Sequence, residues 1–195
     1  MNKAMVKSFL LIFCLMFYFG AIGQDDIDYH NKRIISGLKK SGISDFSQLE
    51  EIKFSSHNQY EPKGKFFKVA ENLKASEIKY VYVGRVNSCR AGGCSNSGIS
   101  TPQNLDSEYF DYYIFFDGAK TVKQVEVYNY EATHGYEITA KGWLKQFVGF
   151  AGKDTLLVNK DIDGITGATV SVYAITTDIQ QKTMLLKSLD KLNKI

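Results

Sequence analysis

A chain of 195 residues with 44% apolar, 13% aromatic and 23% charged side chains has an ordinary globular balance, enough for one good core, which excludes a collagenous, disordered or repeat-built polymer. The formal charge is +3, and Lys3 and Lys7 both fall in the opening segment. Without residues 1–23 the chain keeps 22 of its 24 basic residues against 21 acidic ones, a near balance that argues against a nucleic-acid partner.

Those two lysines precede an uninterrupted apolar run from Phe9 to Phe19, which ends in Gly20, Ala21 and Gly23. This is the pattern of a secretory signal peptide. Ala21, Ile22 and Gly23 satisfy the small-x-small cleavage rule, so the mature chain is expected to begin at Gln24 and to reside in the periplasm or outside the cell. An uncleaved anchor is the alternative, disfavoured because a spanning helix needs about 20 apolar residues. A lipoprotein site at Cys14 is disfavoured by the bulky Phe13 before it. The remaining chain divides into a helical and extended region over residues 24–75 and a main domain over residues 76–195.

Ile27, Ile34, Ile35 and Leu38 lie among Lys32, Arg33, Lys39 and Lys40 with helical spacing, which predicts a short helix stopped at Gly42. Residues 44–51 repeat the theme, with Ser44 as a cap and Phe46 and Leu49 facing inward. From Lys65, aromatic and β-branched residues alternate as in half-buried strands, first over KFFKVAENL and then over EIKYVYVGRV. Residues 87–104 are rich in Gly, Ser and Asn and read as a long loop, a kind that tends to be functional inside a compact domain.

That loop holds Cys89 and Cys94, which are separated by four residues that include Gly92 and Gly93. In an oxidising compartment they are expected to form a disulfide. A redox-active thiol pair or half of a metal site is the sharper alternative, but the spacing is not CxxC and no second cluster supplies ligands. His30, His57 and His134 are far apart in sequence, so no metal centre is expected.

Residues 109–117 and the run TVKQVEVYNY flank Gly118 to Lys120 and predict a central aromatic hairpin. Gly135 marks the next turn, and residues 141–148 predict a short helix that buries Trp143, Leu144 and Phe147. Beyond Val172, Ile175, Ile179, Leu185, Leu186 and Leu189 recur at helical intervals, so a long C-terminal helix should begin near Ser171 and pack across the sheet. The fold class is α+β, with an antiparallel sheet, short N-terminal helices and this long final helix.

The residues that open that helix, DGITGATVS from Asp163 to Ser171, carry the chemistry. Two glycines and two threonines leave small hydroxyls and unpaired amides at a helix N-terminus, a place that accepts phosphate. Gly164 and Gly167 permit close backbone approach or positive φ. The plainer alternative is a helix cap in which Thr169 or Ser171 satisfies the first amides.

At this run the sequence resembles the FMN-binding domain family, which includes the C subunit of the sodium-translocating NADH:quinone reductase and the G subunit of Rnf complexes. Asp163, Thr166, Gly167, Ala168 and Thr169 match the family's motif, and the order of hairpin, His134–Gly135–Tyr136 turn and Trp143–Gly149 segment extends the resemblance over about residues 76–190. The resemblance implies FMN joined through its phosphate to a side-chain hydroxyl, with Ser171 as the acceptor and Thr169 as the second candidate. It implies a flavin transferase as partner, with Asp163 as a recognition determinant, and leaves the electron donor and acceptor open, a membrane redox complex being one candidate. Tyr136 and Trp143 are candidates to flank the flavin ring, the alternative being that both are core residues. The expected function is extracytoplasmic electron transfer in which the cofactor does the redox chemistry. Two alternatives are a domain of the same fold that has lost the flavin and a small reductase. No GxGxxG, GxSxG or HExxH motif is present.

Overall fold

A strand that must be apolar at every position is one covered on both sides, and the run from Tyr109 to Phe116 has that character, with Asp111 as its one charge. The structure, a computed structural model, describes residues 27–54, 63–73, 76–90 and 107–192. The expected signal peptide and Cys94 lie outside these residues, and with Cys94 the expected disulfide. Five antiparallel strands form one sheet in the order β1 to β5: Leu49–Ile52, Gly64–Val69, Tyr80–Arg90, Ser107–Phe116 and Val122–Tyr130. The region before residue 76 therefore shares its sheet with the main domain, through the pairing of β2 with β3. The predicted hairpin joins β4 and β5; β4 lies inside the sheet and β5 borders it.

Alternate side chains of the strands build two separate cores. Phe66, Tyr82, Phe110, Tyr112, Ile114 and Phe116 face one way and meet Val172, Ile175, Ile179 and Leu186 of the C-terminal helix. Phe67, Val81, Val83, Tyr113 and Phe115 face the other way and meet Ile34 and Leu38 of the first helix. That helix, α1, spans Lys32–Lys40, with Asn31 accepting a hydrogen bond from the Arg33 amide at its start. The C-terminal helix, α3, spans Thr169–Leu192. Between them in sequence lies α2, Lys141–Leu144, prolonged by a 3-10 turn over Lys145–Phe147. Leu144 and Phe147 are buried as expected, whereas Trp143 is only half-buried.

The second predicted helix, over residues 44–51, is instead a single 3-10 turn, Phe46–Gln48, followed by β1. Asp45, not Ser44, caps it by accepting from the Ser47 amide at 2.8 Å. Strand pairing of Leu49 with Val69 takes the rest of the segment, because a sheet edge satisfies more backbone groups than one isolated helical turn.

Most buried polar side chains find partners locally; among the described residues the Tyr128 hydroxyl is buried without one. Thr176 and Thr183 donate to the carbonyls of Val172 and Ile179, both at 2.7 Å. Lys182, 1% exposed, donates to Asp178 at 2.6 Å, and Asp178 also accepts from the Tyr112 hydroxyl. Tyr113 and Tyr128 are buried under α1 and its approach, and burial raises both phenols above their usual range. An unfolded chain releases those protons near pH 10 while the folded one retains them, so stability is full below that value and falls as pH rises through it. Urea midpoints measured from about pH 8 to about pH 11 are expected to drop past about pH 10, and Tyr113→Phe should flatten the drop.

Candidate functional site

The long helix starts abruptly. Gly167 sits at φ +84°, a left-handed turn that sends the chain from the 163–166 loop into α3. Ala168 occupies the cap position and accepts the first helical bond from the Val172 amide at 2.9 Å. An alanine cap has no side-chain oxygen, so the capping alternative for Thr169 and Ser171 is not what the helix uses. Among the described residues none accepts a hydrogen bond from the amides of Thr169, Val170 or Ser171. Three unpaired N–H groups and the positive end of a 24-residue helix converge there, which is the electrostatic requirement for a phosphate.

The two hydroxyls that the sequence singles out have opposite surroundings. Thr169, the first helical residue, is exposed. Ser171 is 2% exposed and its Oγ is held by the Ser88 hydroxyl at 2.7 Å and the Tyr130 hydroxyl at 3.1 Å. Tyr130 in turn donates to the His134 carbonyl, and burial pushes its phenol above the usual value. Ser171 thus fastens the helix start to the ends of β3 and β5.

Gly135 closes this cluster from above. Its φ is +92°, and a β-carbon built there would lie 2.6 Å from Ser171 Oγ and 2.9 Å from the Tyr130 hydroxyl. Gly135→Ala is expected to cost about 2–4 kcal/mol from left-handed strain plus overpacking, read as a lower urea midpoint. A loss within experimental error would show that the turn relaxes away from Ser171.

The 163–166 loop is fixed from α2. Trp143 donates its indole N–H to the Asp163 carbonyl at 2.9 Å, and Gln146 accepts from the Asp163 amide at 2.8 Å. The Asp163 side chain is left exposed, as are Thr166 and Gly167. Trp143 therefore anchors the loop, with its ring edge-on to Phe147 at 5.4 Å. Tyr136 is 64% exposed and stands edge-on to Tyr130. Tyr173 and Val170 are exposed on α3 at 51% and 40%. Tyr173 is four residues beyond Thr169, hence on the same helix face. Aromatic and apolar surface left open around an exposed hydroxyl and three free amides suits a ligand that has both a phosphate and a flat ring.

Ser88, Tyr130 and Tyr173 escape the sequence reading. For Tyr173 a signal exists, its i+4 spacing from Thr169. Ser88 and Tyr130 reach Ser171 only through the sheet. No group of three or more His, Cys, Asp or Glu residues able to hold a metal occurs among the described residues.

Residues 109–182 match the family model of the FMN-binding domain. The match runs from the start of the β4 aromatic run to the middle of α3 and contains every motif residue from Asp163 to Ser171, so FMN is the cofactor of this part of the chain. No curated protein matches the chain.

Proposed function

We infer, from the premise that residues 109–182 are an FMN-binding domain, that this protein is an exported electron carrier that holds FMN covalently through a hydroxyl at the start of α3, where exposure favours Thr169 over Ser171, the acceptor that the resemblance implies. The observation that carries the reading is the pairing of an exposed Thr169 with unpartnered amides at residues 169–171. A phosphate ester at Thr169 would be held by those N–H groups. Ser171 has its oxygen buried against two other hydroxyls, so a nucleotide would have to displace Ser88 and Tyr130 to reach it. FMN supplies reversible redox chemistry that no side chain offers; the chain binds, orients and retains it.

The residues divide that work. The amides at the start of α3 neutralise the phosphate. Gly167 leaves room in front of them, since nothing lies within 4 Å of where its β-carbon would be. Tyr136 and Tyr173 offer flat faces for the ring. The exposed Asp163 carboxylate is presented to the attaching enzyme, a flavin transferase, by a backbone that Trp143 and Gln146 hold still. A covalent link keeps the cofactor from diffusing away outside the cell. Export rests on the Lys3, Lys7 and Phe9–Phe19 pattern, and electrons would pass to and from partners docked near the α3 start.

The test is coexpression of the full chain with a flavin transferase, followed by a denaturing gel viewed for flavin fluorescence and by cell fractionation. A fluorescent band in the periplasmic fraction is expected. A colourless protein, beside a control substrate that the same transferase does label, ends the reading.

A further inference from the structure

Away from the α3 start, a second concave surface runs along the outer edge of β5, between α1 and the α2 segment, and encloses about 1060 Å³. Lys32, Arg33 and Lys40 line its α1 side, and Lys123, Lys141 and Lys145 line the other. Glu126 is the one acid in the lining, and it is already engaged by the Tyr113 hydroxyl at 2.9 Å and by Lys141 at 3.7 Å. Lys123 is also within 3.6 Å of Glu77 outside the lining, yet in a mature chain of nearly balanced charge the groove keeps a local excess of cations, which attracts negative charge. The floor is apolar where Val125, Leu144 and Val148 come together.

The backbone adds a direction. Arg33 donates to the Val127 carbonyl at 3.2 Å, so Val127 turns its backbone groups away from β4. By the two-residue alternation of an antiparallel strand, Val125 does the same. Val122, beyond the bulge that separates it from Gln124, has its edge closed by Phe150 and Gly149. The stretch between is the part of the edge that faces the groove.

We propose that this groove receives an extended acidic segment of a partner protein, which lies along the outer edge of β5 with its carboxylates against the lysine rims and its apolar side chains over Val125, Leu144 and Val148. A concave channel with a sheet edge in its wall fits one extended strand, whereas the headgroup plane of a bilayer meets flat or convex surfaces. Cations on both rims steer and orient the segment. The groove uses the face of the α2 segment opposite to Trp143 and Gln146, which hold the 163–166 loop, so the proposal stands without a bound flavin.

The probe is a short fluorescein-labelled peptide of alternating glutamate and leucine, titrated with the intact mature protein and read by fluorescence anisotropy. Binding is expected, weakening about ten-fold as ionic strength rises from ~20 to ~200 mM. The double variant Lys40→Glu/Lys145→Glu, one change on each rim, should bind about ten-fold more weakly, while Lys153→Glu/Lys160→Glu outside the groove should bind as the parent does. Amide NMR shifts should centre on Val125 and Gly37, and the same spectra verify that both variants are folded. Absence of salt-sensitive binding, equal loss in both double variants, or shifts elsewhere overturns the proposal. So does binding to phosphatidylglycerol vesicles through Lys40 and Lys145 when the peptide does not bind.

Discussion

Thr169→Ala is expected to abolish covalent flavin attachment, whereas Ser171→Ala should leave the mass increment of one FMN less one water in place. The contrast comes from exposure rather than from chemistry, because both side chains are hydroxyls of similar reactivity. Thr169 opens to solvent at the first position of α3, and Ser171 is enclosed by Ser88, Tyr130 and the Gly135 backbone. Thr169→Ser should keep attachment, since the oxygen stays in place. Ser171→Ala should instead lower stability by about 1–2 kcal/mol through two lost hydrogen bonds. Intact mass after coexpression with the transferase decides the matter. If Thr169→Ala carries the increment and a folded Ser171→Ala does not, the acceptor is Ser171 and the helix start must open for loading.

Asp111→Ala is expected to destabilise the fold by about 3–5 kcal/mol, a large share of a typical domain's stability. Arg85 and Asp111 face each other across β3 and β4, with bonds of 2.6 and 3.0 Å. Asn129 on β5 donates to the same carboxylate at 3.0 Å, and the Tyr109 ring covers the guanidinium at 3.7 Å. Arg85 and Asp111 are 5% and 1% exposed, so truncating one leaves the other charged and enclosed. The double replacement Arg85→Met/Asp111→Leu should recover most of the loss, because two apolar side chains of like size need no partner. Urea unfolding of the two variants beside the parent measures this directly. A cost below about 1 kcal/mol for Asp111→Ala would mean that water reaches the pair, as at a surface bridge.

Elements whose cause is local are legible in the sequence. The α1 periodicity, the Asp117–Lys120 turn with its flanking aromatic runs, and the apolar stripe of α3 each contain their own instruction. The sequence places the start of α3 near Ser171, and the helix begins at Thr169, within the residue or two by which helix ends ordinarily vary. Which hydroxyl is open is set instead by the packing of Ser88, Tyr130 and Gly135 on Ser171. The 44–51 segment misleads for a different reason: its pairing partner Val69 is twenty residues away, and tertiary pairing overrides weak local preference. Lys182 and Asp178 form an i,i+4 pair on the covered side of the helix, against Tyr82 and Tyr112. Nothing local reveals that a lysine lies on the covered side.

In β4, neighbouring residues serve different layers: Tyr112 and Ile114 support α3, while Tyr113 and Phe115 support α1. The family-matched stretch, residues 109–182, contains that strand but not α1, β1, β2 or β3. Cutting the gene at those limits would strip one flank of the strand of its ladder and lay bare a row of rings that normally never meets water. A piece that keeps both faces of β4 covered therefore reaches back to the beginning of α1, well before residue 109, where the family match starts.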